Sequence, residues 1–313
     1  MFTRRLILST ALAAGTLASA GAASAQDWKA KYPELVMAVV PAENASGVTE
    51  RYAPFVEYLS KELGTKVTLR VANDYAAVIE GQRNGSIQIA GYGPASYARA
   101  VVTGVKVEPF ATTVNNDGTI GYYSVFYVRA DSPYKTIEDL KGKNLGLVDP
   151  NSTSGNNVPR FLLNQQKIVP ETYFAHVTYT GSHENAVLAL QQKTVDVAAN
   201  WWNAEDDSNL TRMASKGLAK KDDFRIISKS ELIPNSPYAY LADLPPDLKA
   251  AIAKAFADAP TKAKAAFDKL SDGKDREFVK GRCQGLRACR RADQVHRHAA
   301  QAEELNAPAA KLR

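Results

Sequence analysis

Leu35-Val36-Met37-Ala38-Val39-Val40 is an unbroken apolar hexapeptide. Such a run suits a strand covered on both faces, as in a parallel sheet, rather than one with a wet side. The next stretch has the other period. Tyr52, Phe55, Val56 and Leu59 recur at i, i+3, i+4 and i+7 and predict a helix ending at Gly64. Beyond it, Val67–Val71 is the next expected strand and Tyr75–Arg83 the next helix. Ile87–Ala90 is a strand that runs into Gly91-Tyr92-Gly93. Alternating strand and helix implies an α/β sheet with helices on both faces.

After a long β-type run at Tyr122–Val128 and a turn at Asp131-Ser132-Pro133, the pattern restarts. Strands are expected at Asn144–Val148, His176–Tyr179, Val195–Ala199 and Phe224–Ile227, with helices at Val158–Gln166 and His183–Gln192. Two α/β lobes joined by two extended crossovers, near Val125–Arg129 and Arg225–Ser230, account for this order. Ligands of such sheets bind beyond the carboxyl ends of the strands, here in a cleft between the lobes.

The chain's ends read differently from its body. Arg4 and Arg5, the apolar run Leu6–Ala20 and Ala23-Ser24-Ala25 form an export signal, with cleavage before Gln26. The run is too short for a membrane span. Thr3-Arg4-Arg5-Leu6 loosely matches a twin-arginine signal, so the export route stays open. Removing the +2 of Arg4 and Arg5 and the +4 of residues 281–313 from the overall +6 leaves residues 6–280 neutral. A neutral body argues against a nucleic-acid partner. Both cysteines, Cys283 and Cys289, fall in the tail and could pair in an oxidising compartment. Neither Gly-x-Ser-x-Gly nor His-Glu-x-x-His is present, nor is a Cys/His cluster with metal spacing. No catalytic residue, metal or cofactor is expected.

The segment with the strongest chemistry is Asp149-Pro150-Asn151-Ser152-Thr153-Ser154-Gly155, between an expected strand and helix. A helix start presents unpaired N–H groups and the positive dipole end, and three successive hydroxyls add donors suited to a tetrahedral oxyanion. An ordinary helix cap is the plainer alternative. The Gly-Lys-Ser/Thr ending of a nucleotide P-loop is missing. This run, continued by Val158-Pro159, resembles the hallmark of the phosphonate-binding proteins of ABC transporters. Six further stretches match in order: Pro54–Leu59, Asp74-Tyr75-Ala76, Gly91–Pro94, Gly121–Val125, Gly181–Asn185 and Val195–Ala198, and then Ile233-Pro234. The resemblance extends from about Leu35 to Val279.

That resemblance implies a type II periplasmic-binding-protein fold and a periplasmic, monomeric protein. Its partners would be a phosphonate, phosphate or phosphite and an inner-membrane ABC permease. The resemblance implies a site where Tyr75 and Tyr92 face Ser152, Thr153, Ser154 and His183. It also implies a carboxylate for a ligand ammonium in the loop after Val195–Ala199: Glu205, or its neighbour Asp206. A second carboxylate expected after Ile-Pro-Gly is replaced here, where the chain reads Ile233-Pro234-Asn235-Ser236-Pro237. Trp201 and Trp202 either wall the cleft or pack in the lobe, with core packing the expectation. A secreted phosphoesterase and a ligand-presenting sensor are the alternative functions.

The expected organisation is a signal peptide (1–25), a first lobe from 26–125 and 230–280, a second lobe from 126–229, and an atypical tail (281–313). The tail has eight Ala, six Arg and no aromatic residue. It reads either as a natural extension or as the product of a single-base insertion. A back-translation of Gly281–Asn306 exists that, with one base removed, encodes VDAKGYEPVVALTKFIDTLRKRKN and then a stop.

Overall fold

The structure is a computed structural model and describes residues 28–280. The expected signal peptide and the tail, with its two cysteines and its reading frame, lie outside the described residues.

Thirteen strands occur in the described chain: β1 (Glu34–Val39), β2 (Lys66–Val71), β3 (Ile89–Gly91), β4 (Val107–Asn115), β5 (Gly121–Arg129), β6 (Asn144–Leu147), β7 (His176–Tyr179), β8 (Val197–Ala204), β9 (Asp207–Ser208), β10 (Phe224–Lys229), β11 (Ile233–Pro234), β12 (Pro237–Leu241) and β13 (Asp275–Lys280). They form two sheets. One has the order β13-β4-β12-β3-β1-β2, and the other has β10-β5-β8-β6-β7 with β11 on β5 and β9 on β8. In the first sheet β1 pairs in parallel with β2 and β3, while β12 and β13 are antiparallel additions. The second repeats this plan, with β6 parallel to β7 and β8, and β5 and β10 antiparallel.

The apolar run at β1 is explained by its central place. Leu35, Met37 and Val39 enter one core cluster, with the helix Ala45–Leu63, whereas Ala38 enters the cluster on the opposite face. Successive side chains of a strand point to opposite faces, so a strand covered twice must be apolar throughout. Asn44 caps that helix, its side chain accepting from the Gly47 N–H, and Gly64 ends it with φ of 59°. β5 and β8 behave likewise. Val125, Tyr127 and Ala198 face one core, and Phe126, Val128, Val197 and Ala199 the other.

The expected crossovers are displaced. Val125–Arg129 and Arg225–Ser230 belong to β5 and β10, which pair with each other inside the second sheet. The chain passes between sheets at residues 116–120 and 235–236. Beta propensity marks the strands on either side of a crossing, not the short polar links that make it. The second return brings the helix Pro246–Lys262 and β13 onto the first sheet. There Phe256 meets Phe55 and Phe110 at 4.9 Å, Tyr238 at 5.1 Å and Phe278 of β13 at 5.2 Å. This aromatic cluster fixes the edge strand whose first residue, Asp275, reaches the cleft.

Candidate ligand-binding cleft

After β6 the chain runs through Val148-Asp149-Pro150-Asn151 into one π-helical turn, Thr153–Asn157, and then the helix Val158–Gln165. Asp149 accepts from the Asn151 N–H at 2.7 Å and Ser152 accepts from the Gly155 N–H at 3.1 Å, which fixes the turn. Gly155 is required by close packing. A Cβ there would lie 2.4 Å from the Val148 side chain.

Ser152, Thr153 and Ser154 are buried at this turn and line a cavity of about 240 Å³ walled by both lobes. Ser152 Oγ lies 3.4 Å from His183 Nε2. Thr153 Oγ1 accepts from the Ala95 N–H at 2.9 Å, a bond from one lobe to the other. Ser124 Oγ donates to the Ser154 carbonyl at 2.8 Å. Tyr75 follows Asp74, which caps its helix, and its N–H donates to Asp149 Oδ2 at 3.4 Å. The Tyr75 hydroxyl lies near Ser152 and that of Tyr122 near Thr153 and Ser154. Burial pushes Tyr75 well above the usual phenol range and Tyr122 up to about 12, so both are neutral donors. Burial holds His183 down to about 3, outweighing the Asn200 contact, and the imidazole is neutral. His183 begins the helix His183–Gln191, and its Nδ1 has no hydrogen-bond partner among the described residues.

A second group of side chains lines the same cavity: Trp201, Asn203 and Asp207 from one lobe, Ser236, Lys274 and Asp275 from the other. Asn203 Nδ2 donates to Asp207 Oδ2 at 2.8 Å, and Arg212 lies over the Trp201 ring, 5.1 Å from its centroid. Burial raises Asp207. Burial, and then the charge of Asp207, pushes Asp275 up to about 7.

Beside the cavity the lobes are tied by buried charges. Glu43 is 2% exposed and Glu184 1%, and Lys216 meets them at 2.7 and 2.9 Å. Arg51 also pairs with Glu43, and Arg212 pairs with Asp272 at 2.7 Å. Burial pushes the Glu43 carboxyl up, but Arg51, Arg212 and Lys216 together hold it below its ordinary value.

Residues 37–280 match the model of a family described as the periplasmic substrate-binding protein of phosphonate ABC transporters. The chain belongs to this family. It is 35% identical over 210 residues to the phosphonates-binding periplasmic protein of Escherichia coli, covering 66% of this chain and 60% of that one. The phosphate-import protein PhnD of Mycolicibacterium smegmatis is 31% identical over 226 residues, with 69% of each chain covered. In the crystal structure of a binding-protein component of a Pseudomonas aeruginosa phosphonate ABC transporter, 91% of the chain superposes on 88% of this one, with TM-score 0.78 and 28% identity. The fold is that of these periplasmic binding proteins, and the family is one of binding components rather than enzymes.

Of the residues singled out in the sequence, Tyr75, Ser152, Thr153, Ser154 and His183 line one cavity between the lobes. Tyr92 lines it too, but its hydroxyl donates to Gln82 Oε1 at 2.8 Å, inside its own lobe, and Tyr122 supplies the hydroxyl at the turn. Glu205 is outside the cavity, its side chain 80% exposed beside Lys221, and Asp206 is 79% exposed beside Lys274. The reason is that β8 continues to Ala204 before reversing into β9. Alternation along that extension turns Trp201 and Asn203 to the cleft and packs Trp202 on the lobe core. Trp201 is therefore a wall of the cleft, not a core residue. Asp207 and Asp275 escaped the sequence reading. Neither sits in a matched stretch, and only the return of β13 brings Asp275 to the site.

Proposed function

We propose that the mature protein captures a phosphonate, phosphate or phosphite in this cleft and presents it, lobes closed, to an inner-membrane ABC permease. The carrying observation is the convergence of neutral donors: the hydroxyls of Ser152, Thr153, Ser154, Tyr75 and Tyr122 with the neutral imidazole of His183. Hydrogen bonds to a charged group contribute about 1.5–3 kcal/mol each, so a ring of them can hold an oxyanion. The relatives' names support both phosphonate and phosphate as ligand classes. Export by the cleavable signal before Gln26 delivers the protein to the periplasm, which the family designation gives as its compartment. The proposed working unit is a monomer without a nucleic-acid partner, in keeping with the neutral charge of residues 6–280.

Calorimetry against phosphate, phosphite, methylphosphonate and aminoethylphosphonate, with sulfate as control, tests this reading. Saturable binding of at least one phosphorus oxyanion, weakened by Thr153→Ala, is expected. No binding of any of the four, or turnover of a phosphate ester by the pure protein, overturns it.

A further inference from the structure

The two links that join the lobes, residues 116–120 and 235–236, run side by side. β11 pairs antiparallel with the start of β5, Ile233 with Tyr122 and Pro234 with Gly121. The Asn235 N–H donates to the Ile120 carbonyl at 3.4 Å. A Cβ on Gly121 would lie 2.7 Å from the Ile233 carbonyl oxygen, so the second link is pressed against the first. On the side of the first lobe, Thr112 Oγ1 donates to the Ser236 carbonyl at 3.1 Å.

One side chain ties the links together. Asn115 ends β4, immediately before the first link, and is 6% exposed. Its Nδ2 reaches across that link, donating to Thr119 Oγ1 at 2.7 Å and to the Gly121 carbonyl at 2.8 Å. The Thr119 hydroxyl spends its own proton on Asp117 Oδ1 at 2.7 Å, which leaves its lone pairs to accept. Asn115 Oδ1 accepts from Asn235 Nδ2 of the second link at 3.1 Å, and that Nδ2 also donates to the Thr113 carbonyl at 3.1 Å. A third acceptor for Asn115 Nδ2 is Asn203 Oδ1, 3.3 Å away on β8 of the other lobe. An amide nitrogen carries two protons, so three acceptors are one more than it can serve singly. The Asn203 bond is the longest and is made by sharing. The second lobe can therefore carry Asn203 nearer or farther without leaving a buried Asn115 proton unpaired.

We propose that Asn115 is the positioning residue of the hinge: its amide couples the two links into one pivot and connects that pivot to the cleft wall at Asn203. This rests on the oxyanion reading above for the ligand and adds what fixes the closing motion. Two independent links could bend in many combinations. Coupled links have few, so the closed arrangement loses less conformational freedom when it forms. Entry of a ligand between open lobes does not use the pivot, whereas retention does.

The test uses the full mature chain with Asn115→Ala, Asn235→Ala and the double variant. Stopped-flow tryptophan fluorescence, reporting from Trp201 in the cleft wall, gives both rate constants with phosphate, methylphosphonate and aminoethylphosphonate. Dissociation is expected to rise about tenfold in either single variant, by the same factor for all three ligands, with association within about twofold of wild type. The double variant should be no worse than Asn115→Ala, because the two side chains act through each other. Small-angle scattering of the ligand-free variants should give a larger radius of gyration than wild type. Asn235→Ala, at a half-buried position, carries the test if Asn115→Ala does not fold. Wild-type dissociation rates and radius in Asn235→Ala overturn the proposal. So do additive effects in the double variant, or a loss confined to one ligand, which would make these asparagines ligand contacts. Wild type that binds none of the three ligands overturns the oxyanion reading instead, and the ligand-free radius still decides the role of the pivot.

Discussion

Thr153 acts in two directions at once. Its Oγ1 accepts from the Ala95 N–H, so the hydroxyl proton is left to point at a bound oxyanion. Thr153→Ala should therefore weaken phosphonate binding about tenfold or more, from the lost charged hydrogen bond and the orphaned Ala95 donor. Two tyrosines make a contrasting pair. Tyr122→Phe should weaken binding severalfold in titration calorimetry, whereas Tyr92→Phe should leave affinity unchanged and cost about 1 kcal/mol of stability, because its hydroxyl serves Gln82. His183 predicts a pH effect. Its folded value is about 3, far below the ordinary 6.5, so the folded state holds the neutral ring while the unfolded chain takes a proton. Stability from this group is full above pH 6.5 and is lost as pH falls toward 3. Thermal melts of His183→Asn should show a shallower decline over that window.

Among the elements, the late strand β13 decides much. Phe278 anchors it among Phe55, Tyr238, Phe256 and Phe267. Phe278→Ala should cost about 3–5 kcal/mol in denaturant unfolding and weaken ligand binding through Asp275. The same strand shows where sequence reasoning stops. The parallel strands were legible because double burial imposes an apolar run, and the turn after β6 because Ser152-Thr153-Ser154-Gly155 following a strand marks a capped helix start. Tyr92 and Tyr122 are alike in the sequence; which hydroxyl meets the cleft depends on the acceptor Gln82, ten residues away and on another element. Glu205 looked placed for a ligand because strand periodicity gives no signal that β8 runs to Ala204. The crossings at 116–120 and 235–236 are polar links with no periodicity of their own.

For the molecule as a whole, the Glu43–Lys216–Glu184 ties make closure an electrostatic event beside the cleft. Lys216→Met leaves two buried carboxylates without their shared cation, and the closed state bears that loss. Affinity should fall roughly tenfold although Lys216 does not line the cavity, through a smaller closed population. Small-angle scattering should show a larger radius of gyration for the variant at equal subsaturating ligand. An unchanged radius and unchanged affinity would refute the role of these ties.

Gly93 faces Thr153 across the seam so closely that an added Cβ would lie 2.9 Å from Oγ1. On the proposed reading, that clearance sets the bound lifetime. Entry of the ligand into open lobes needs no contact at Gly93, but retention needs the lobes to meet there. A methyl group works as a doorstop, so Gly93→Ala should leave the association rate near its original value and shorten the bound lifetime for every ligand alike, whatever its substituent. In a periplasm where a carrier must hold its cargo until it meets a permease, the bare backbone at this one position sets how far the cargo travels.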